Sequence, residues 1–226
     1  MTEKAATRQA STLREALKGG DSHPYVMGRV RRFLDEIRTG ERAPVARLHP
    51  LGFLCLPMHR SEEFGFCVHA WLPGARRETS PTSDMHLHTF DMYSRILHGS
   101  VVNHTLELDP ESEPTHRIFE ITKGASEDVD LFRETGEDTT PRFVRDDAFS
   151  AGDQYDIRRG QYHSAAETLD LDFTVTLMLA ENWNDDPQRT LVELGQVSSI
   201  PREYHRVRLT GAEAQSSALD VLNLLS

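Results

Sequence analysis

The chain has little cysteine, and only two, Cys55 and Cys67, stand among its 226 residues. That is too few for a disulfide framework. It has no apolar run approaching the roughly 18 residues that a membrane span requires. Its opening, Met1 to Gln9, is polar and lacks the apolar core of a secretion signal. Together these absences give the expectation of a cytoplasmic protein with no membrane partner. Positive charge is also scarce, with 25 Lys and Arg against 36 Asp and Glu, a formal net charge of −11. Each phosphate contact needs a Lys or Arg, so nucleic acid is not an expected partner. An anionic substrate would need a local basic patch inside its site.

Histidine, by contrast, is abundant. There are eleven, and histidine is the commonest metal ligand. The length suits one domain with trimmings and is enough to bury a sizeable core.

The first 45 residues read as helical. Thr12 and Glu15 have the spacing of a capping box ahead of Leu13–Leu17. A second helix is expected from about Pro24 to Ile37, where Val26, Val30, Phe33, Leu34 and Ile37 share one face. From Leu48 the character changes to short β-rich segments. These are Phe53–Pro57, Phe64–Trp71, Met85–Thr89, Tyr93–Leu97, Ser100–Leu108, Gln154–Ile157 and Leu171–Ala180. Residues 75–84 read as a polar loop. Residues 109–148 read as an acidic, irregular insertion that could close over the site, with Arg117–Thr122 as a strand within it. Arg206–Leu209 reads as a last strand. Thr210 and Glu213 then have capping-box spacing before a terminal helix carrying Leu219, Leu222 and Leu225. Many short strands without βαβ alternation argue for an all-β barrel or sandwich. The expected layout is a helical cover over 1–45, a barrel over 46–209 with the insertion at 109–148, and a helix over 210–226. A homodimer is compatible with these features.

The first motif with chemistry in it is Met85-His86-Leu87-His88. Side chains at i and i+2 of a strand point to one side, so the two imidazoles converge. Gly99 follows His88 by eleven positions, and further on stands Gly152-Asp-Gln-Tyr-Asp-Ile-Arg-Arg-Gly160-Gln-Tyr-His163. Here the chain resembles the cupin superfamily. The first cupin motif is His-x-His, three or four residues, usually Glu, six residues, then Gly. The second is Gly, five residues, Pro-x-Gly, two residues, His, three residues, then Asn. The spacing matches at His86, His88 and Gly99, and again at Gly152, Gly160 and His163. The motifs span roughly residues 80–167, and flanking strands extend the likeness to about 50–182. The departures are Met92 at the Glu position, Arg158 at the Pro position and Glu167 at the Asn position.

The resemblance implies a jelly-roll barrel with a metal held by His86, His88 and His163. Three imidazoles without Glu are similar to the ligand sets of cysteine dioxygenase-like thiol dioxygenases and of diketone-cleaving dioxygenases. Iron(II) is the implied metal, with a small thiol-bearing or chelating substrate and O₂ in the open positions. Zn, Mn or Ni would instead suit a Lewis-acid isomerase, lyase or hydrolase. A third reading is a ligand-sensing cupin without catalysis. The thiol dioxygenases often carry a carboxylate-gripping Arg on the strand pair before His-x-His, and Arg60 stands in a comparable place. They also carry Ser-x-His-x-Tyr after the third histidine, where this chain has Thr176-Leu-Met-Leu-Ala180.

Other candidates have their own expectations. Met92 is expected to line the pocket without binding the metal. His98 and His104 are expected beside the ligands, orienting one or relaying a proton. Tyr155 is a pocket candidate, whereas Tyr162, next to a ligand, should point away from it. Arg95, Arg158 and Arg159 could hold a carboxylate but also suit solvated surface. His59 and His69 are read as structural. Cys55 and Cys67 are expected to face one another across the early strand pair and to pack there.

Overall fold

The structure is a computed structural model, and it describes residues 3–19, 23–72, 82–167 and 173–226. In chain order the elements begin with two helices, α1 (Glu3–Gly19) and α2 (His23–Arg38). There follow β1 (Arg47–Leu48), β2 (Leu54–Arg60), β3 (Phe64–Trp71), β4 (His86–Leu87), β5 (Asp91–His98), β6 (Ser100–Asp109) and β7 (His116–Lys123). After them come β8 (Val129–Ser150), β9 (Gln154–Ile157), β10 (His163–Glu167), β11 (Thr174–Glu181), β12 (Gln188–Glu193), β13 (Glu203–His205) and α3 (Gly211–Leu224). The strands form two antiparallel sheets. One has six strands in the order β1-β2-β3-β11-β5-β9, and the other has seven in the order β13-β8-β6-β10-β4-β12-β7. The layout is that of a β-sandwich or jelly roll.

Strand alternation decides what each face of the six-stranded sheet meets. Leu54 and Leu56 of β2, Phe64, Phe66, Val68 and Ala70 of β3, and Val175, Leu177 and Leu179 of β11 join one apolar cluster. The helices complete it with Leu13, Leu17, Val30, Leu34, Ile37 and Val221. The helices therefore cover a sheet face. Each fully buried Leu or Phe in that layer contributes about 1.5–3 kcal/mol of transfer free energy. Glu181, at the end of β11, ties α1 to the layer. Its carboxylate is 1% exposed and accepts from Arg14 Nε at 2.6 Å and from Lys18. Burial by itself would raise this carboxyl, but the hydrogen bonds and charges of Lys18 and Arg14 hold it below its usual range. The opposite face looks toward the second sheet. There Met92, Ile96, Tyr155 and Ile157 cluster with Val101, and Phe149 and Ala165 pack against them.

Several local readings are corrected. Thr12 is not a helix cap. It lies inside α1, and its hydroxyl donates to the Arg8 carbonyl at 3.0 Å. Residues 109–148 are not irregular, because most of them form β7 and the 22-residue β8. β8 pairs with β7 along its first half and with β6 along its second, so it bridges the two edges of its sheet. Its acidic residues are tolerated because most of the strand is solvent-facing. The late strand is Glu203–His205. The segment after it contributes one isolated bridge, Arg47 to Arg208. The Thr210–Glu213 capping box is present on α3, but Leu219 is exposed, and the helix buries Ala214, Ala218 and Val221 instead. The loop read at 75–84 lies mostly outside the described residues, as do the first two residues of the strand read at Leu171–Ala180. Among the described residues no helix is long and apolar enough to cross a membrane.

Candidate metal centre

The two sequence motifs meet through backbone pairing. His86 on β4 stands opposite His163 on β10 in the antiparallel register. The Gly160 amide donates to the His88 carbonyl at 2.9 Å, which joins the turn before β10 to the end of the His-x-His segment. Gly160 has a φ of 79°, a conformation that L side chains rarely adopt. Gly99, with a φ of 74°, is required sterically as well. A Cβ there would lie 2.4 Å from the Phe173 carbonyl oxygen.

The result is a compact triad. Ring centroids are 4.8 Å apart for His86 and His88, 4.5 Å for His86 and His163, and 5.0 Å for His88 and His163. One nitrogen from each ring lies within 4.8 Å of the other two. Imidazole nitrogens sharing a metal at bonds of about 2.1 Å lie roughly 3.0–3.4 Å apart, so small rotations would close the set.

Each ring is held by different means. His163 is 3% exposed. Its Nδ1 lies 3.0 Å from Oδ1 of the buried Asn103, which can only accept, so Nδ1 carries the proton. Its Nε2 is buried and has no hydrogen-bond partner. That is a bare lone pair in a place where an unsatisfied polar atom costs about 1–3 kcal/mol. His86 Nδ1 donates to the Asp84 carbonyl at 2.6 Å. His88 stacks on Phe90, with centroids 4.6 Å apart. Burial lowers all three imidazole pKa values, well below the usual range for His88 and His163, and the neighbouring histidines lower those two further. The rings are thus neutral at pH 7, the state a metal requires of them.

The other candidates fall elsewhere. His104 pairs with Ser164, not His163, so alternation sends it to the opposite face of the sheet. There it lies 2.6 Å from Asp146 and edge-on to Phe143. His98 closes the far end of β5. Seven residues separate it from Asp91, about 23 Å at ~3.3 Å per residue, and the Asp91 end is the one that adjoins Phe90 and the triad. The structure therefore does not bring His98 or His104 to the triad. Tyr155 packs in the apolar cluster between the sheets, stacked on Phe149 at 4.8 Å, and burial raises its phenol. Met92 joins the same cluster and is 6% exposed. Ala165, two residues after His163 and on the same side of β10, touches that cluster, which makes it the apolar floor beneath the triad. Arg60 is exposed at the end of β2, with its guanidinium 5.7 Å from the Trp183 ring centroid. Trp183 meets Phe90, and Phe90 meets His88, so Arg60 is two rings removed from the nearest imidazole.

Sequence reading missed Asn103 and His69. Asn103 is one of many asparagines until the register of β6 and β10 sets it near His163. The charge of His69, on β3, bears on His88, and both His69 and the triad bear on His49, whose pKa burial also lowers strongly. The signal that could have found His69 is alternation. It is two positions from Cys67 on β3, and both residues fall on the side away from the helix-packed face.

No protein-family model matches the chain, and no curated protein matches it. Among solved structures, one match is a hydroquinone 1,2-dioxygenase in complex with cadmium and 4-hydroxybenzonitrile. The two are 13% identical over 56% of this chain, with a TM-score of 0.33, and the match spans 62% of the dioxygenase. Another is a conserved protein of unknown function from Streptococcus pyogenes, 11% identical over 60% of this chain and 79% of its own length, with a TM-score of 0.32.

Proposed function

We propose that the chain is a metal-dependent cupin that holds one divalent ion, iron(II) first, through His86, His88 and His163. In this reading it is a non-haem iron(II) dioxygenase for a small thiol-bearing or chelating substrate. The observation that carries it is the His163 ring, with Nδ1 committed to Asn103 and Nε2 buried, unpartnered and close to two other neutral imidazoles. Such a donor set fits Fe, Zn or Ni. When bound, iron(II) supplies open positions for substrate and O₂ and carries the redox step.

The chain's own residues position and shield. Asn103 fixes the tautomer and tilt of His163, and the Asp84 carbonyl does the same for His86. Phe90, backed by Trp183, packs an apolar wall against His88 that keeps water from that side of the ring. Met92, Ile96 and Tyr155 close the floor. The three ligands bring no negative charge, so an anionic or chelating substrate offsets the charge of the ion. Arg60, held over Trp183 at the rim, offers a guanidinium to a carboxylate entering there.

The test is an oxygen electrode with iron-loaded protein and a panel of thiols, diketones and hydroxy acids. Oxygen uptake with one class of substrate is expected, with no need for 2-oxoglutarate and with the zinc form inert. Equal turnover under strict anaerobiosis, or by the zinc form, would overturn the redox reading in favour of Lewis-acid chemistry.

A further inference from the structure

A second donor cluster lies on the neighbouring sheet. Cys55 of β2 and Cys67 and His69 of β3 each offer one ligand atom, and the three atoms lie within 4.8 Å of one another. Strand pairing accounts for the convergence. Cys55 stands opposite His69, and Cys67 stands opposite Pro57, so the two cysteines are diagonal neighbours on one face. That face is the one turned away from the helices, because the alternating residues Leu54, Leu56, Phe66, Val68 and Ala70 all belong to the helix-packed cluster.

A disulfide fits this arrangement poorly. Diagonal partners in an antiparallel pair have Cα atoms about 7–8 Å apart, beyond the usual ~4.4–6.8 Å span of a bridge. A metal fits better. Two thiolates on one zinc at bonds of about 2.3 Å lie roughly 3.8 Å apart, and a thiolate and an imidazole slightly less. The cluster needs to contract by no more than about 1 Å to meet those spacings. Cys67 is buried and Cys55 and His69 are half-buried, so an ion there would be shielded yet reachable.

We propose that Cys55, Cys67 and His69 form a second metal site, selective for a thiophilic divalent ion of the zinc type and leaving one position open for an exogenous ligand. The chemistry of the donors separates it from the triad. Two sulfurs and one imidazole favour zinc, whereas three imidazoles accept iron. His69 is the residue nearest the boundary, since its charge bears on His88. The site does not depend on the dioxygenase reading and stands or falls separately.

The experiment titrates reduced, metal-free full chain with cobalt(II) and zinc(II), using four proteins: wild type, His163→Ala, the Cys55→Ser/Cys67→Ser double variant and His69→Ala. In His163→Ala, cobalt is expected to give a near-ultraviolet thiolate-to-metal absorption, and zinc is expected to abolish the reaction of both thiols with a thiol reagent. The double variant should lose the absorption and one equivalent of bound metal. His69→Ala leaves both sulfurs in place and guards against a misfolded serine variant. Losing an outer-shell partner alone costs metal sites about 10–100-fold, so loss of this ligand should weaken zinc binding by at least about 100-fold. Absence of the thiolate absorption in wild type and His163→Ala, or recovery of a Cys55–Cys67 disulfide from protein kept under reductant, would overturn the proposal.

Discussion

The six-stranded sheet has two faces made from the same strands, and β3 shows the contrast within eight residues. Phe64, Phe66, Val68 and Ala70 turn to the helices and are almost wholly buried. Cys67 and His69, in alternation with them, turn to the space that also holds the triad. The first face is apolar, and its side chains need nothing but neighbours. The second carries donor atoms that the protein itself leaves unpaired, most clearly Nε2 of His163. Stability resides mainly in the first face and ligand chemistry in the second, so the two should respond to substitution independently.

The sharpest way to break that contrast is His163→Ala. It is expected to strip most of the iron that the triad holds while the circular dichroism spectrum stays that of the folded chain. Full iron occupancy in this variant would remove the triad from consideration. Leu177→Ala works on the other face. It should cost about 2–5 kcal/mol in a denaturant titration, as buried Leu truncations do, with iron affinity unchanged. A fall in both would mean that the two faces are coupled.

Asn103→Ala tests the link between packing and chemistry. It leaves Nδ1 of His163 buried without an acceptor. Iron affinity should drop about 10–100-fold, and stability by about 1–3 kcal/mol. Unaltered iron binding would show that His163 needs no orienting partner.

Glu181→Gln probes the helix side by pH. The folded carboxyl sits below its unfolded value, so its contribution is present above the unfolded pKa of about 4.3 and is lost as pH falls through the lower folded value. The variant should be weaker than wild type at pH 7 by on the order of 2 kcal/mol, from lost charge-assisted hydrogen bonds. The gap should close as the pH is lowered below about 4. A gap that stays constant with pH would assign the effect to packing. The smallest effect is expected for His104→Ala. Its ring is on the outer face beside an exposed aspartate, so stability should move by less than about 0.5 kcal/mol and iron affinity not at all.

The triad was legible in the linear chain because its signal is local. Two histidines two apart on a strand must share a side, and glycine spacing marks the turns that return the third. The same locality made α2, the β2–β3 hairpin and the α3 cap legible. β8 was not, since an edge-like strand exposed on both faces has no need of apolar alternation, and a run rich in Asp and Glu reads as loop. Thr12 misled for a related reason. A capping box is a spacing of two residue types, and that spacing also occurs inside helices.

By itself, then, the order of residues determined which side chains share a face, because alternation and helical period are properties of the backbone alone. It thereby determined that His86 and His88 act together and that α2 is amphipathic. What the tertiary structure decided is register, which strand lies beside which and by how many residues it is offset. A shift of one position exchanges the two faces of a strand. It is register that puts His163 opposite His86, seats Asn103 behind it, turns His104 out to solvent with Asp146, and draws Cys55, Cys67 and His69 to one point. Those pairings are set by burial summed over both sheets, a quantity that no short stretch of sequence contains.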